Sequence, residues 1–274
     1  QPNAMGGREV GGLANTLAAH MSLESQDDRH RVKRFWRAPV IARDPGLTAI
    51  PLFQAVASGD IKALWIMATN PVDSLPDAST VEAAIKRCPF VVVSDVQRFT
   101  DTVRHADVKL PAAGWGEKDG TVTNSERRIS RQRAFLPLPG EARPDWWALA
   151  EVGKRLGFFH AFDYAGPAAI FSEHAALSGY ENTGRRDFDI SAHTGVDQAG
   201  YDALEPFMWP APADAGVSAG LGQAGAEHRF FAEGGFYTPD RRARFVVPAE
   251  ALEPSRPPDS LTLNSGRTRD QWHT

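Results

Sequence analysis

A chain of 274 residues, 42% hydrophobic and 23% charged, is long enough to bury one large core, or one domain with appendages. Its formal net charge of -4 and pI near 6.1 argue against a partner gripped through a phosphate backbone, so nucleic acid is not expected, although a local basic strip can still hold a small anion. The lone cysteine, Cys88, excludes a disulfide framework and a Cys-rich zinc or iron-sulfur site built from this chain alone, and it suits a reducing compartment.

No stretch approaches the roughly 20 apolar residues of a membrane span. Gln1-Pro2-Asn3 has neither an initiator nor the charged-then-apolar pattern of a signal peptide. The expectation is a soluble segment whose true N-terminus lies upstream.

Clusters of Pro and Gly mark the seams, and there is no internal repeat. The run Ile61 to Met67 is short, apolar and closed by Thr69-Asn70-Pro71, which predicts a buried strand. Ser79-Thr80-Val81-Glu82 has the form of a capping box, and Val81, Ala84, Ile85 and Cys88 share one helical face before Pro89 stops the helix. Phe90 to Val93 is apolar and rich in β-branched residues, as a parallel strand buried on both faces would be, and it ends at the polar pair Ser94-Asp95. A third strand is expected at Val108 to Leu110. Strand, helix and strand in this order imply a right-handed βαβ unit and an α/β fold, a doubly wound sheet with helices on both sides. Pro144-Asp145 opens a further helix through Trp146, Leu149, Ala150 and Val152, with Gly157 as its stop.

From about Ala161 to Ala226 the pattern predicts helical patches and long surface loops, because stretches such as Pro210 to Gly225 carry no period. Phe230-Phe231-Ala232 and Arg244-Phe245-Val246-Val247 flank Gly234-Gly235 and Pro239-Asp240, which suggests strands joined by turns in a hairpin. Leu261-Thr262-Leu263 then begins a new strand.

In open α/β sheets a ligand lies beyond the carboxyl ends of the strands, which directs attention to the loops after Met67 and Val93. Asn70 offers an amide that both donates and accepts, and Asp95 a carboxylate able to accept from a guanine edge or a ribose hydroxyl. The simpler alternative is that Asn70-Pro71 is a turn and Asp95 a loop residue. The segment from Trp115 to Arg128 is dense in charge and glycine; Lys118, Arg127 and Arg128 are available to an anion, or belong to a solvated loop. Asp145 ahead of a helical run also reads as an N-cap. Gly6-Gly7-Arg8-Glu9-Val10-Gly11-Gly12 follows no predicted strand and is weak as a phosphate loop. The histidines lack metal-ligand spacing and no Ser-His-Asp set can be assigned, so neither a metal ligand nor a catalytic residue is expected in this chain.

Several segments agree with one known pattern in order and spacing. They are Gln1 to Val10, Trp65-Ile66-Met67-Ala68-Thr69-Asn70-Pro71, Val93-Ser94-Asp95, Ala106 to Pro111, Glu117-Lys118-Asp119-Gly120 to Glu126-Arg127-Arg128, Gly140 to Trp147, and Ser265 to Thr274. Together they resemble the molybdopterin oxidoreductases that bind two molybdopterin guanine dinucleotides, and among these the assimilatory nitrate reductases. The resemblance implies a Rossmann-like cofactor region over 1–160, a helical and loop extension with a possible hairpin over 161–255, and the start of a β-rich C-terminal cofactor domain over 256–274. It carries cofactor contacts over to Asn70, Ser94, Asp95, Lys118 and Asp145, and to Ser265, Gly266, Arg267, Thr268, Arg269, Asp270, Gln271, Trp272, His273 and Thr274. This reverses the simpler reading at Asn70 and Asp95; at Asp145 capping and binding can coexist.

The implied parent is a cytoplasmic enzyme that reduces nitrate to nitrite at a molybdenum bis(molybdopterin guanine dinucleotide) centre, with a 4Fe-4S cluster not ligated by this chain. It would take electrons from a redox partner and include further domains. The four-cysteine motif and the molybdenum-ligating cysteine of the family belong to regions outside this segment, and Cys88 lies in a predicted helix, so the piece alone is expected to be inactive. The alternatives are a molybdenum formate dehydrogenase fragment and a non-catalytic nucleotide-binding module.

Overall fold

The computed structural model describes residues 3–214, 230–231, 234–247 and 260–261. In chain order its elements are α1 (Ala4–Glu9), β1 (Thr16–Leu17), β2 (Met21–Ser22), α2 (Gln26–Trp36), α3 (Ala49–Ser58), β3 (Ala63–Met67), α4 (Pro71–Ser74), α5 (Ala78–Arg87), β4 (Phe90–Asp95) and β5 (Val108–Pro111). Then follow β6 (Gly120–Thr123), β7 (Arg128–Gln132), α6 (Asp145–Arg155), α7 (Pro167–Gly179), α8 (Gln198–Asp202) and β8 (Phe207–Met208). The class is α/β, with a parallel sheet as expected and two small antiparallel sheets beside it.

Strands β3, β4 and β5 lie parallel in sequence order, with Met67 opposite Ser94 and Asp95 opposite Pro111. Pleating sends alternate residues to opposite faces. Leu64, Ile66, Val91 and Val93 therefore meet one set of helices, packing with Val56 of α3, Val72 of α4 and Val81, Ala84 and Ile85 of α5. A fully buried valine or isoleucine in this set contributes roughly 1.5–3 kcal/mol. The opposite face, which receives Trp65, Phe90 and Val92, is more open: Phe90 is 47% exposed.

Helix α5 starts one residue ahead of the expected capping box, and Asp77 is its cap. The Asp77 carboxylate accepts from the Thr80 hydroxyl (2.6 Å), the Ser79 hydroxyl (2.9 Å) and the Thr80 amide (3.3 Å). A carboxylate is the stronger acceptor, and these hydroxyls serve it as donors; the Thr80 hydroxyl above all holds the Asp77 carboxyl below its ordinary range. Glu82, expected to reach back to the cap, instead pairs with Lys86 and Arg104, each at 2.9 Å. Gly157, at φ +95, follows the end of α6 as anticipated.

A second core joins Ala18, Ala19, Met21 and Val32 to Ile129 and to Ala168, Phe171, Ala175, Leu177, Phe188, Ile190, Tyr201, Leu204 and Trp209. Much of the region expected as patches and surface loops thus lies inside, and the packing crosses the seam near residue 160. Helix α7 hides from pattern analysis because Ala168, Ala169, Ile170, Phe171, Ala175, Ala176 and Leu177 spread apolar surface around it, as in a helix with neighbours on several sides. The glycine-rich stretch near the N-terminus is helix α1 and its exit, not a phosphate loop. Gly11 is required there: at φ +78, a Cβ would sit 2.5 Å from the Leu17 carbonyl carbon.

The strands expected at 230–232 and 244–247 do not form among the described residues. A turn closes where the Phe236 amide donates to the Arg241 carbonyl at 2.9 Å, and Phe245 beyond it is 96% exposed. Strand propensity needs a partner strand and a face to bury, and Phe245 to Val247 have neither here. Ala232 and the expected strand residues Thr262 and Leu263 lie outside the described residues.

His174 of α7 stands against Phe188, ring centroids 5.2 Å apart, with its Nε2 buried and unbonded. Desolvation, reinforced by His20, pushes its pKa down to about 4. The folded value lies below the unfolded one of about 6.5, so this stability is present above that pH and is lost as pH falls towards 4. In urea unfolding between pH 7 and pH 4, His174→Phe is expected to flatten the acid loss by roughly 2 kcal/mol relative to wild type. Parallel pH profiles for the two proteins would refute this.

Candidate functional site

Where β3 and β4 end side by side, a cleft of about 820 Å³ opens. Its shape begins with Ala68, which leaves β3 at φ +53 with its amide bonded to the Ser94 carbonyl at 3.0 Å. A non-glycine residue there stores on the order of 1 kcal/mol of strain. The strained turn is held by buried Pro71 and Val72 at the start of α4, and it carries Thr69 and Asn70 over the cleft.

The cleft gathers Asn70, Asp95, Lys118 and Asp145 from four separate segments. The Thr102 hydroxyl donates to Asn70 Oδ1 at 2.6 Å, and Asn70 Nδ2 donates to Asp73 at 3.2 Å. Asp95 is the last residue of β4; its Oδ1 accepts from the Gln97 amide at 2.8 Å, which fixes the carboxylate in a local turn. Lys118 reaches across to Asp145, Nζ to Oδ2 3.3 Å. Pro144 occupies the cap position of α6, and Asp145 is its first residue, making no side-chain bond to the helix amides. The capping reading of Asp145 is thereby replaced by an ion pair at a helix N-terminus, where its charge is favoured. Its Oδ1 is buried without a hydrogen-bond partner.

Ser94 is placed differently. It is buried, on the strand face opposite Asp95's, and its hydroxyl accepts from Trp65 Nε1 at 2.8 Å. It lines an adjoining cavity of about 260 Å³ with Leu110, Trp147 and Val152, which meets the main cleft at Ala112 and Asp145. Arg127 does not line the cleft; its guanidinium lies 3.9 Å from the Phe230 ring centroid and 5.6 Å from that of Trp209, and burial lowers its pKa. Arg128 is in β7 and is likewise absent from the lining. Ser265 to Thr274 lie outside the described residues.

Residues 3–155 match the molybdopterin oxidoreductase family. The chain belongs to that family. This molybdopterin oxidoreductase chain is 52% identical, over its whole length, to 30% of a nitrate reductase of Klebsiella oxytoca, and 49% identical to 29% of one from Shewanella frigidimarina. It is 32% identical, over 99% of its length, to 25% of a putative formate dehydrogenase of Bacillus subtilis. It therefore spans about 30% of the length of the nitrate reductases it matches.

Family membership implies a molybdenum-pterin cofactor, and the cleft's donor set can be compared with it. Four aspartates (Asp73, Asp95, Asp101 and Asp145) face two cations, Arg104 and Lys118. Arg104 is engaged by Glu82 and Lys118 by Asp145. Such a cleft is rich in acceptors, one of them the orphaned Asp145 Oδ1, and it fits the N–H and hydroxyl donors of a nucleoside better than a bare phosphate. Sequence reasoning missed Asp73, Arg104 and Thr102. No local pattern marks them, because Thr102 meets Asn70 across 32 positions.

No helix among the described residues is long and apolar enough to cross a membrane.

Proposed function

We propose that this chain is part of a cytoplasmic molybdenum enzyme that reduces nitrate to nitrite, and that its cleft holds the nucleoside end of a molybdopterin guanine dinucleotide. The observation that carries the reading is the convergence of Asn70, Asp95, Lys118 and Asp145, distant in sequence, on one cleft at the strand ends. In this reading Asp95 accepts from the guanine N–H edge or a ribose hydroxyl, Asn70 adds a paired donor and acceptor, and Lys118 neutralises Asp145 until a donor or an anion separates them. Ser94, in the adjoining cavity, and 265–274, at the start of a second cofactor domain, would add further contacts to the cofactor. Residues 1–160 act as the cofactor region, 161–255 as its extension and 256–274 as the start of that domain.

When bound, the molybdenum-pterin group supplies the two-electron exchange; the residues of this chain bind and orient it and exclude water. A 4Fe-4S cluster and a redox partner belong to the rest of the enzyme, so this piece alone has no turnover. Nitrate is favoured over formate because the identity to nitrate reductases reaches 52%, against 32% for the putative formate dehydrogenase. Assay of the full-length enzyme with both substrates tests this, and formate oxidation without nitrate reduction would overturn it.

Asp95→Ala in the full-length enzyme is expected to weaken cofactor retention by on the order of 2 kcal/mol, the worth of one charge-assisted bond. Molybdenum and released guanine nucleotide per polypeptide measure it. Wild-type content in the variant would remove Asp95 from the site.

A further inference from the structure

We infer that Thr102 is a positioning residue of the cleft: its hydroxyl locks the Asn70 amide in one orientation and so decides which polar edge Asn70 shows to a ligand. The inference rests on the cofactor reading of the cleft given above. Thr102 is fully buried and is not among the residues lining the cleft, so it acts through Asn70 and not by contact.

The geometry leaves little choice. The Val72 amide in the first turn of α4 has no partner within its helix and donates to Thr102 Oγ1 at 3.3 Å. With that oxygen accepting, the hydroxyl hydrogen is free to be given away, and Asn70 Oδ1 lies 2.6 Å from it. At the other end Asn70 Nδ2 meets the Asp73 carboxylate at 3.2 Å, a group that only accepts when ionised. An unrestrained asparagine exchanges its oxygen and nitrogen by a half-turn. Here the flipped amide would set its carbonyl against the Asp73 carboxylate and its N–H against a hydroxyl already aimed at it. Both neighbours therefore require the same orientation, and the buried one is the less screened.

One amide hydrogen and one carbonyl lone pair of Asn70 remain uncommitted, held in one plane. A flat heterocycle with an adjacent donor and acceptor on its edge matches that pair, as a bidentate amide contact does at a nucleobase. A freely turning Asn70 would present the wrong order half of the time and bind such an edge more weakly.

The test compares Thr102→Val, Thr102→Ser, Asn70→Ala and the Thr102→Val/Asn70→Ala double variant in the full-length enzyme. Molybdenum and acid-released guanine nucleotide per polypeptide are read after dialysis, with the thermal midpoint alongside. Thr102→Val is expected to retain cofactor about twofold less well, the penalty when only half of the Asn70 population is in the competent orientation, while Thr102→Ser, which keeps the hydroxyl, retains it like wild type. The double variant should be no worse than Asn70→Ala, since the positioned group is already gone. Normal retention in Thr102→Val with loss in Asn70→Ala overturns the inference and leaves the cofactor reading standing. Equal losses from Thr102→Val in both Asn70 backgrounds, or failure of Thr102→Ser to restore retention, would show a merely structural threonine. Full retention in Asn70→Ala would remove Asn70 from the site and the inference with it.

Discussion

Glu9→Ala is expected to destabilise the protein by about 3 to 5 kcal/mol, the cost of stripping a buried polar network of its central acceptor. Glu9 is buried at the end of α1, where its Oε1 accepts from Trp209 Nε1 at 2.6 Å and its Oε2 from the Thr123 hydroxyl at 2.7 Å. One carboxyl thus ties the N-terminal helix to β6 and to the segment after β8. Alanine would leave two buried donors without a partner and a void around them. Glu9→Gln preserves the shape: its carbonyl still accepts from Trp209, and the Thr123 hydroxyl can turn to accept from the new amide. Its expected cost is under about 1 kcal/mol. Burial raises the Glu9 pKa, against the lowering effect of its two hydrogen bonds. A carboxyl with a raised folded pKa stabilises most when protonated, and that contribution fades as pH rises through the folded value. The cost of Glu9→Gln should therefore shrink as pH rises from 4 towards 8. Urea unfolding of both variants across that range measures all of this. Equal losses for alanine and glutamine would mean that the hydrogen bonds are not what Glu9 contributes.

Phe188→Ala is expected to cost about 4 kcal/mol, within the range of 3–5 for emptying a packed aromatic site. Phe188 has no solvent exposure, and its ring stands 5.3 Å from that of His20, 5.2 Å from His174 and 5.4 Å from Trp209. These neighbours come from the N-terminal segment, α7 and the end of the described core. Two of the three are held in place by bonds of their own, His20 by Asp187 at 2.8 Å and Trp209 by Glu9, so the space does not readily close. Phe188→Leu, which refills much of the space, should recover more than half of the loss. A loss below about 1 kcal/mol for Phe188→Ala would show that this core is loosely packed.

Much of the α/β half was legible from local pattern. Apolar runs bounded by Thr69-Asn70-Pro71, Pro89 and Ser94-Asp95 marked β3, α5 and β4 to within a residue or two, because short apolar runs closed by turn residues and an apolar helical face are local signals; the burial on both faces expected of β4 is met on one face only. The cap of α5 was misplaced because Ser79-Thr80 fits a capping pattern as well as Asp77 does, and acceptor strength, not spacing, settled it. The second core was not legible. Phe188, Ile190 and Trp209 lie outside helices and strands, so no period reports their burial, and Arg244 to Val247 read as a strand although no partner strand exists for it among the described residues.

The sequence by itself determined the α/β class, the strands in their succession along the chain and the polar residues at their ends, since periodicity and turn chemistry are local properties written in neighbouring residues. Only the tertiary structure decided that Asn70, Asp95, Lys118 and Asp145 share a cleft while Ser94 turns to the other face, and that Thr102 and Asp73 hold the Asn70 amide. Those relations depend on loop closure and strand register across many intervening residues. A shift of one residue in register would exchange the two faces, and no neighbouring residue carries that information.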